Sequence, residues 1–184
     1  MIKTERLALK PFEECDRDPL ILMLRNEKVN DTYLVPDLSN DETANKLFDR
    51  IKEVSYNPDR FARGIYLDNK LIGVINDTGI ENGIIEIGYA INPEHWGRGY
   101  ATEAFKGAIQ YLFENGYSVI RAGIFEDNIA SRRVLEKCGL KLTEMSEDIE
   151  YKGKMHHCVY SISQFQNKHS DAFFLYIQYL RSFL

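Results

Sequence analysis

Residues 83–104 read GIIEIGYAINPEHWGRGYATEA. Ile85 and Ile87 flank Glu86 in the period-two pattern of a half-buried strand, which the spacing predicts over 84–91. Gly97 and Gly99 then bracket Arg98, and beyond them Ala101, Ala104, Phe105, Ala108, Ile109 and Leu112 recur at helical spacing. A strand, a glycine turn and a helix start together make an anion site. The first-turn amides of a helix have no intrahelical partner, the helix dipole favours negative charge there, and glycine lets a ligand approach bare backbone. From these residues alone any phosphate is admitted. A dinucleotide fingerprint needs a third glycine where Thr102 stands, and parallel strands before the turn; a Walker-type loop needs a Gly-Lys-Ser/Thr triplet that the chain lacks.

Working outward, the chain reads as alternating short elements. Arg6–Lys10 is an opening strand stopped by Pro11, and 13–25 is helical, with Leu20, Ile21 and Leu24 on one stripe, although Pro19 is expected to limit that helix to its first turns or to interrupt it. Ser39-Asn40-Asp41-Glu42 reads as a capping box before a helix at 41–55. A hairpin follows, Ile65–Leu67 and Leu71–Ile75 around Asp68-Asn69-Lys70, leading into the strand at 84–91. The long helix is capped near Gly116; a strand at 118–124, a helix capped by Asp127 or Asn128 and stopped at Gly139, and strands at about 140–150 and 155–162 complete the order. The expectation is an α/β domain over 1–163, with a mixed, mostly antiparallel sheet of six to seven strands and about four helices. The apolar tail (Phe173, Phe174, Ile177, Tyr179, Leu180, Phe183, Leu184) suggests a helical extension over 164–184 covered by its own core or by a second copy of the chain.

Composition narrows the class. The 184 residues suffice for one domain with a sizeable core, and 44% hydrophobic with 28% charged residues is ordinary for a globular protein. A net charge of −5 argues against a nucleic-acid binder. The start, MIKTERLALKPF, has no apolar signal core, and the tail is too short for a span, so no membrane association is expected. Cys15, Cys138 and Cys158 form no CxxC and are odd in number, which suits a reducing cytoplasm rather than a disulfide framework. His156-His157-Cys158 invites a metal reading, but successive strand side chains point to opposite faces, so no metal is expected.

The segments EIGYAINPEHWGRGYATEA (86–104) and DNIASRRVLEKCGL (127–140) resemble the GNAT family of N-acetyltransferases, within it most closely the ribosomal-protein alanine/serine branch, RimJ/RimL-like. TERLALKPF (4–12) and Val159-Tyr160-Ser161-Ile162 fit the same branch, and the tail beyond 163 lies outside it. The resemblance implies acetyl-CoA as cosubstrate. Its pyrophosphate would rest on the amides of Gly97, Arg98, Gly99, Tyr100, Ala101 and Thr102, with Arg98 an added cation. Its pantetheine arm would pair like a strand with Tyr89, Ala90 and Ile91, and Asn128 and Ser131 would line the pantetheine and adenine side.

The implied reaction moves an acetyl group from a thioester to an amine, which must lose a proton to attack. Glu86 is the candidate base, on the expectation that apolar neighbours suit a carboxylate to that work. A backbone amide near Ala90 or Ile91 would meet the oxyanion. Many family members carry a tyrosine seven residues after the position of Asn128 to protonate the leaving thiolate; here Leu135 stands there, and no general acid is assigned. Tyr33, Leu34 and Tyr66 are candidates for the acceptor pocket. The acceptor suggested is a protein or peptide N-terminus; a polyamine or aminoglycoside, a non-catalytic acyl-CoA-binding module and a nucleotide-binding module remain as alternatives. The acidic net charge suits a basic acceptor.

Overall fold

The computed structural model describes residues 1–165. Eight strands form one sheet: β1 (Ile2–Lys3), β2 (Leu7–Lys10), β3 (Ala62–Leu67), β4 (Lys70–Glu81), β5 (Ile84–Ile91), β6 (Val119–Phe125), β7 (Lys141–Tyr151) and β8 (Lys154–Gln164). Their spatial order is β1-β2-β3-β4-β5-β6-β8-β7, and every neighbouring pair is antiparallel except β5 with β6. The helices are α1 (Arg17–Arg25), α2 (Glu27–Asn30), α3 (Asp41–Tyr56), α4 (Tyr100–Glu114) and α5 (Ile129–Lys137). The expected mixed, mostly antiparallel α/β sheet is therefore present, with one more strand and one more helix than expected. The additions are the shortest elements, the two-residue β1 and the single turn of α2, whose lengths carry no readable period. The proposed helical extension and its self-association fall at 166–184, outside the described residues.

Strand alternation divides the core into two layers. Val74 and Ile75 are neighbours in β4, yet each is fully buried in a different cluster. Ile75, Ile85, Ile87, Phe105, Leu112 and Leu135 pack beneath α4 and α5; Phe12, Leu20, Leu24, Phe48, Val74 and Ala90 pack beneath α1 and α3. The helical stripes read from the sequence supply both layers. Pro19 sits in the first turn of α1, where the missing N–H costs nothing. One local detail differs from expectation. Asn40, not Ser39, caps α3, its side chain accepting from Glu42 N at 2.7 Å, while the Ser39 hydroxyl donates to Asp37.

Candidate active site

Glu86 stands where the sheet forks. β5 and β6 pair only through Ile84↔Val119, Ile85↔Ile120 and Glu86↔Arg121. Beyond that point β5 stays with β4 as far as Ile91, and β6 stays with β8 as far as Phe125. Residues Ile87–Ile91 consequently have a strand on one side only. A bulge in β4 between Asp77 and Gly79 lies at the same level, opposite Glu86 and Ile87, and bulges bend a strand and increase its twist. The fork thus leaves the Tyr89–Ala90–Ile91 edge open for an extended ligand.

The carboxylate of Glu86 is 18% exposed and has two donors, Thr78 Oγ1 at 2.8 Å to Oε1 and Arg121 Nε at 2.6 Å to Oε2. Glu86 faces away from Ile85 and Ile87, as strand alternation leads one to expect, and in place of an apolar setting its carboxylate has the polar side chains of Thr78 and Arg121 against it. Tyr33 shares that face. Its ring lies 3.6 Å from where a Cβ on Gly88 would stand, its hydroxyl donates to Asn76 Oδ1, and burial pushes that hydroxyl well above the ordinary phenol range. Across the fork, the Tyr160 ring covers Gly123, its hydroxyl donates to Glu147, and the Arg121 guanidinium carbon is 5.5 Å from the ring centre. Tyr151, at the tip of the β7–β8 hairpin, donates to the Asn30 carbonyl at 2.8 Å, binding the hairpin to the loop that carries Tyr33.

Leu34 is half-exposed beside Tyr33, but Tyr66 does not join them. It is buried in β3, its hydroxyl donating to Asp16 Oδ2 at 2.6 Å with Lys10 over the ring; a pocket-lining role is corrected to a core one. Thr78, Arg121, Asn76, Tyr151 and Tyr160 are the candidate site residues that sequence reasoning missed. Each arrives by sheet pairing or by a loop contact between residues far apart in the chain.

At the other end of β5 the loop is held open by backbone chemistry. Gly97 and Gly99 have φ of 73° and 80°, a left-handed conformation that glycine adopts without steric cost. The Trp96 indole donates to the Ile91 carbonyl at 2.7 Å and fixes the entry to the turn. Among the described residues, the amides of Gly97, Arg98 and Gly99 donate to no protein acceptor, and the first bond of α4 runs from Glu103 N to Gly99 O. With the free first-turn amides of Tyr100, Ala101 and Thr102, six donors line up in sequence at the positive end of α4. Tyr100 contributes backbone only, since its ring is buried.

α5 closes the other side of the fork. Asn128 caps it, Oδ1 accepting from Ser131 N at 3.0 Å, and the Ser131 hydroxyl meets Tyr89 across the gap at 3.2 Å. Tyr89 packs edge-on against Phe105, and burial pushes its hydroxyl up to about 12. Leu135 is 1% exposed and belongs to the core. The histidine–cysteine run behaves as strand residues do: His156 stacks on Phe125, His157 pairs with Asp148, and Cys158 is buried, its thiol pushed up to about 11.

This combination sets an open strand edge beside free amides at the mouth of the following helix. The GNAT acetyltransferase domain family matches residues 6–141. YoaA of Bacillus subtilis, described as an uncharacterized N-acetyltransferase, is 31% identical over 146 residues, covering 77% of this chain and 82% of that protein. Among solved structures, the RimL ribosomal L7/L12 alpha-N-protein acetyltransferase with coenzyme A superposes with a TM-score of 0.78 at 18% identity, covering 88% of this chain and 95% of that one. The microcin C7 self-immunity acetyltransferase MccE, solved with acetyl-CoA and AMP, gives 0.76 at 20% identity, covering 88% and 93%. The chain belongs to the GNAT family and is an acetyl-CoA-dependent N-acetyltransferase.

Proposed function

We propose that the protein acetylates a primary amine at a protein or peptide N-terminus, by direct attack with both substrates bound together. The observation that carries this reading is the fork, which sets an open strand edge and a carboxylate side by side. Acetyl-CoA supplies the activated acyl carbon. Six loop and first-turn amides, Gly97 to Thr102, hold its pyrophosphate, and the Tyr89–Ile91 edge pairs with the amide groups of the pantetheine arm. Asn128 and Ser131 line the arm from α5, and the exposed Arg98 adds positive charge at the loop.

Glu86 takes the proton that an alkylammonium must shed, directly or through a water. Thr78 and Arg121 each occupy one of its oxygens, which fixes the carboxylate while leaving each oxygen further acceptor capacity. A backbone N–H near Ala90 or Ile91 meets the negative charge that develops on the acyl oxygen. Tyr33 and Leu34 border the acceptor. The RimL neighbour, described as an alpha-N-protein acetyltransferase, is a precedent for an N-terminal amine acceptor on this fold. Three cysteines without a disulfide suit a cytoplasmic setting.

Leu135 favours a second reading, a module that binds acyl-CoA without turnover, because no side-chain hydroxyl stands at its position. Thiol release from acetyl-CoA decides between them, assayed against N-terminal peptides, polyamines and aminoglycosides. The proposal expects release above background with peptides bearing a free N-terminus. Binding of acetyl-CoA with no acceptor giving thiol supports the second reading, and turnover confined to polyamines or aminoglycosides reassigns the acceptor.

A further inference from the structure

The segment Thr4–Arg6 is tied to the far end of the glycine loop by a cluster that proton transfer does not require. Glu103, in the first turn of α4, has a side chain only 14% exposed. It accepts from Thr4 Oγ1 at 2.6 Å, from the Arg6 backbone N–H at 2.7 Å and from Arg6 Nε at 2.7 Å, with Arg6 Nη2 also 2.7 Å from Oε2. The third guanidinium nitrogen, Nη1, donates to the Arg98 carbonyl at 3.1 Å. The guanidinium carbon lies 4.6 Å over the Tyr100 ring, and Nη2 is 3.5 Å from where a Cβ on Gly99 would stand.

A surface ion pair alone contributes little to stability. Here, however, the planar fork of one arginine is held along its Nε–Nη2 edge by one carboxylate oxygen and presents its remaining nitrogen to a loop carbonyl, an arrangement that a point charge cannot copy. The peptide joining Arg98 to Gly99 is trans, so its C=O and N–H point in opposite directions. Fixing the Arg98 oxygen against Arg6 turns the Gly99 N–H away from Arg6. A loop with glycine at both 97 and 99 has little conformational preference of its own to do this.

We infer that Arg6, oriented by Glu103, is a positioning residue that sets the Arg98–Gly99 peptide for phosphate binding. The inference rests on the acetyl-CoA reading above. It is tested on the full chain with Arg6→Ala and Arg6→Lys. Calorimetric titration with CoA gives an affinity about tenfold weaker for Arg6→Ala. Arg6→Lys keeps the charge and a melting temperature close to wild type, yet recovers little of that affinity. The ratio of kcat/KM for acetyl-CoA over S-acetyl-pantetheine, which lacks the pyrophosphate, falls by the same factor. A merely structural role would lower both thioesters alike and leave the ratio unmoved, and that result, or wild-type CoA affinity in Arg6→Ala, overturns the inference. Wild-type protein that binds no CoA overturns the acetyl-CoA reading itself.

Discussion

Glu86 and Leu135 are the two residues whose surroundings decide the most. Glu86→Gln keeps the shape and one acceptor oxygen but cannot accept a proton, and is expected to lower kcat by a factor of about 100 or more. Steady-state rates across pH check this; near-normal turnover at every pH would remove Glu86 from the mechanism. Leu135 is a packing residue. Leu135→Ala empties part of the layer beneath α4 and α5 and should cost about 3 kcal/mol, read from urea denaturation. A loss under about 1 kcal/mol would place Leu135 outside the core. Sequence exposed Glu86 because it is a lone carboxylate in an apolar strand. It hid Arg121 and Thr78, since only strand pairing and a bulge bring them to it. Tyr66 was misread because an aromatic on a strand looks the same whether it faces a pocket or meets a buried Asp16.

Among elements, the long ones were legible and the short ones were not. α3, α4 and β5 follow from apolar period and caps, whereas β1 and α2 offer two and four residues and owe their form to neighbours. The loop at 97–99 was legible because its chemistry is local: glycine conformation and unpaired amides belong to the segment itself. The fork was not, because it is a divergence between strands whose paired residues lie 35 apart in the chain. The β7–β8 hairpin carries a prediction at this scale. His157 Nδ1–H donates to Asp148 Oδ1 at 2.8 Å, and that hydrogen bond, outweighing burial, raises the imidazole above its ordinary value. Any stability the pair contributes is therefore present below the unfolded-state pKa and lost as pH rises through the folded one. An NMR titration should find His157 above about 6.5 and Asp148→Asn should lower it; an unchanged midpoint in the variant would contradict the pairing.

At the scale of the whole molecule, the sheet serves as a frame with two exposed consequences of one divergence. Its open edge and its carboxylate lie at the fork, while the helix that follows β5 presents free amides at the mouth. The segment 30–35 and the β7–β8 hairpin are joined through Tyr151, whose hydroxyl meets the carbonyls of Asn30, Tyr33 and Val35, and together they border the side proposed for the acceptor. Family membership was readable from two motifs, and the geometry explains why those motifs occur together: one supplies strand edge and anion loop, the other the helix across the gap. The acceptor was less readable, because the residues proposed to border it, Tyr33 and Leu34, lie outside both motifs. The central claim is that acetyl-CoA lies along the free edge of β5. Amide hydrogen exchange tests it most directly, comparing acetyl-CoA with adenosine 3′-phosphate 5′-diphosphate, which lacks the pantetheine arm. The account predicts that both ligands protect amides at 97–102, and that acetyl-CoA alone also protects amides at 89–91. Equal protection at 89–91 by both ligands, or none with acetyl-CoA, would contradict it.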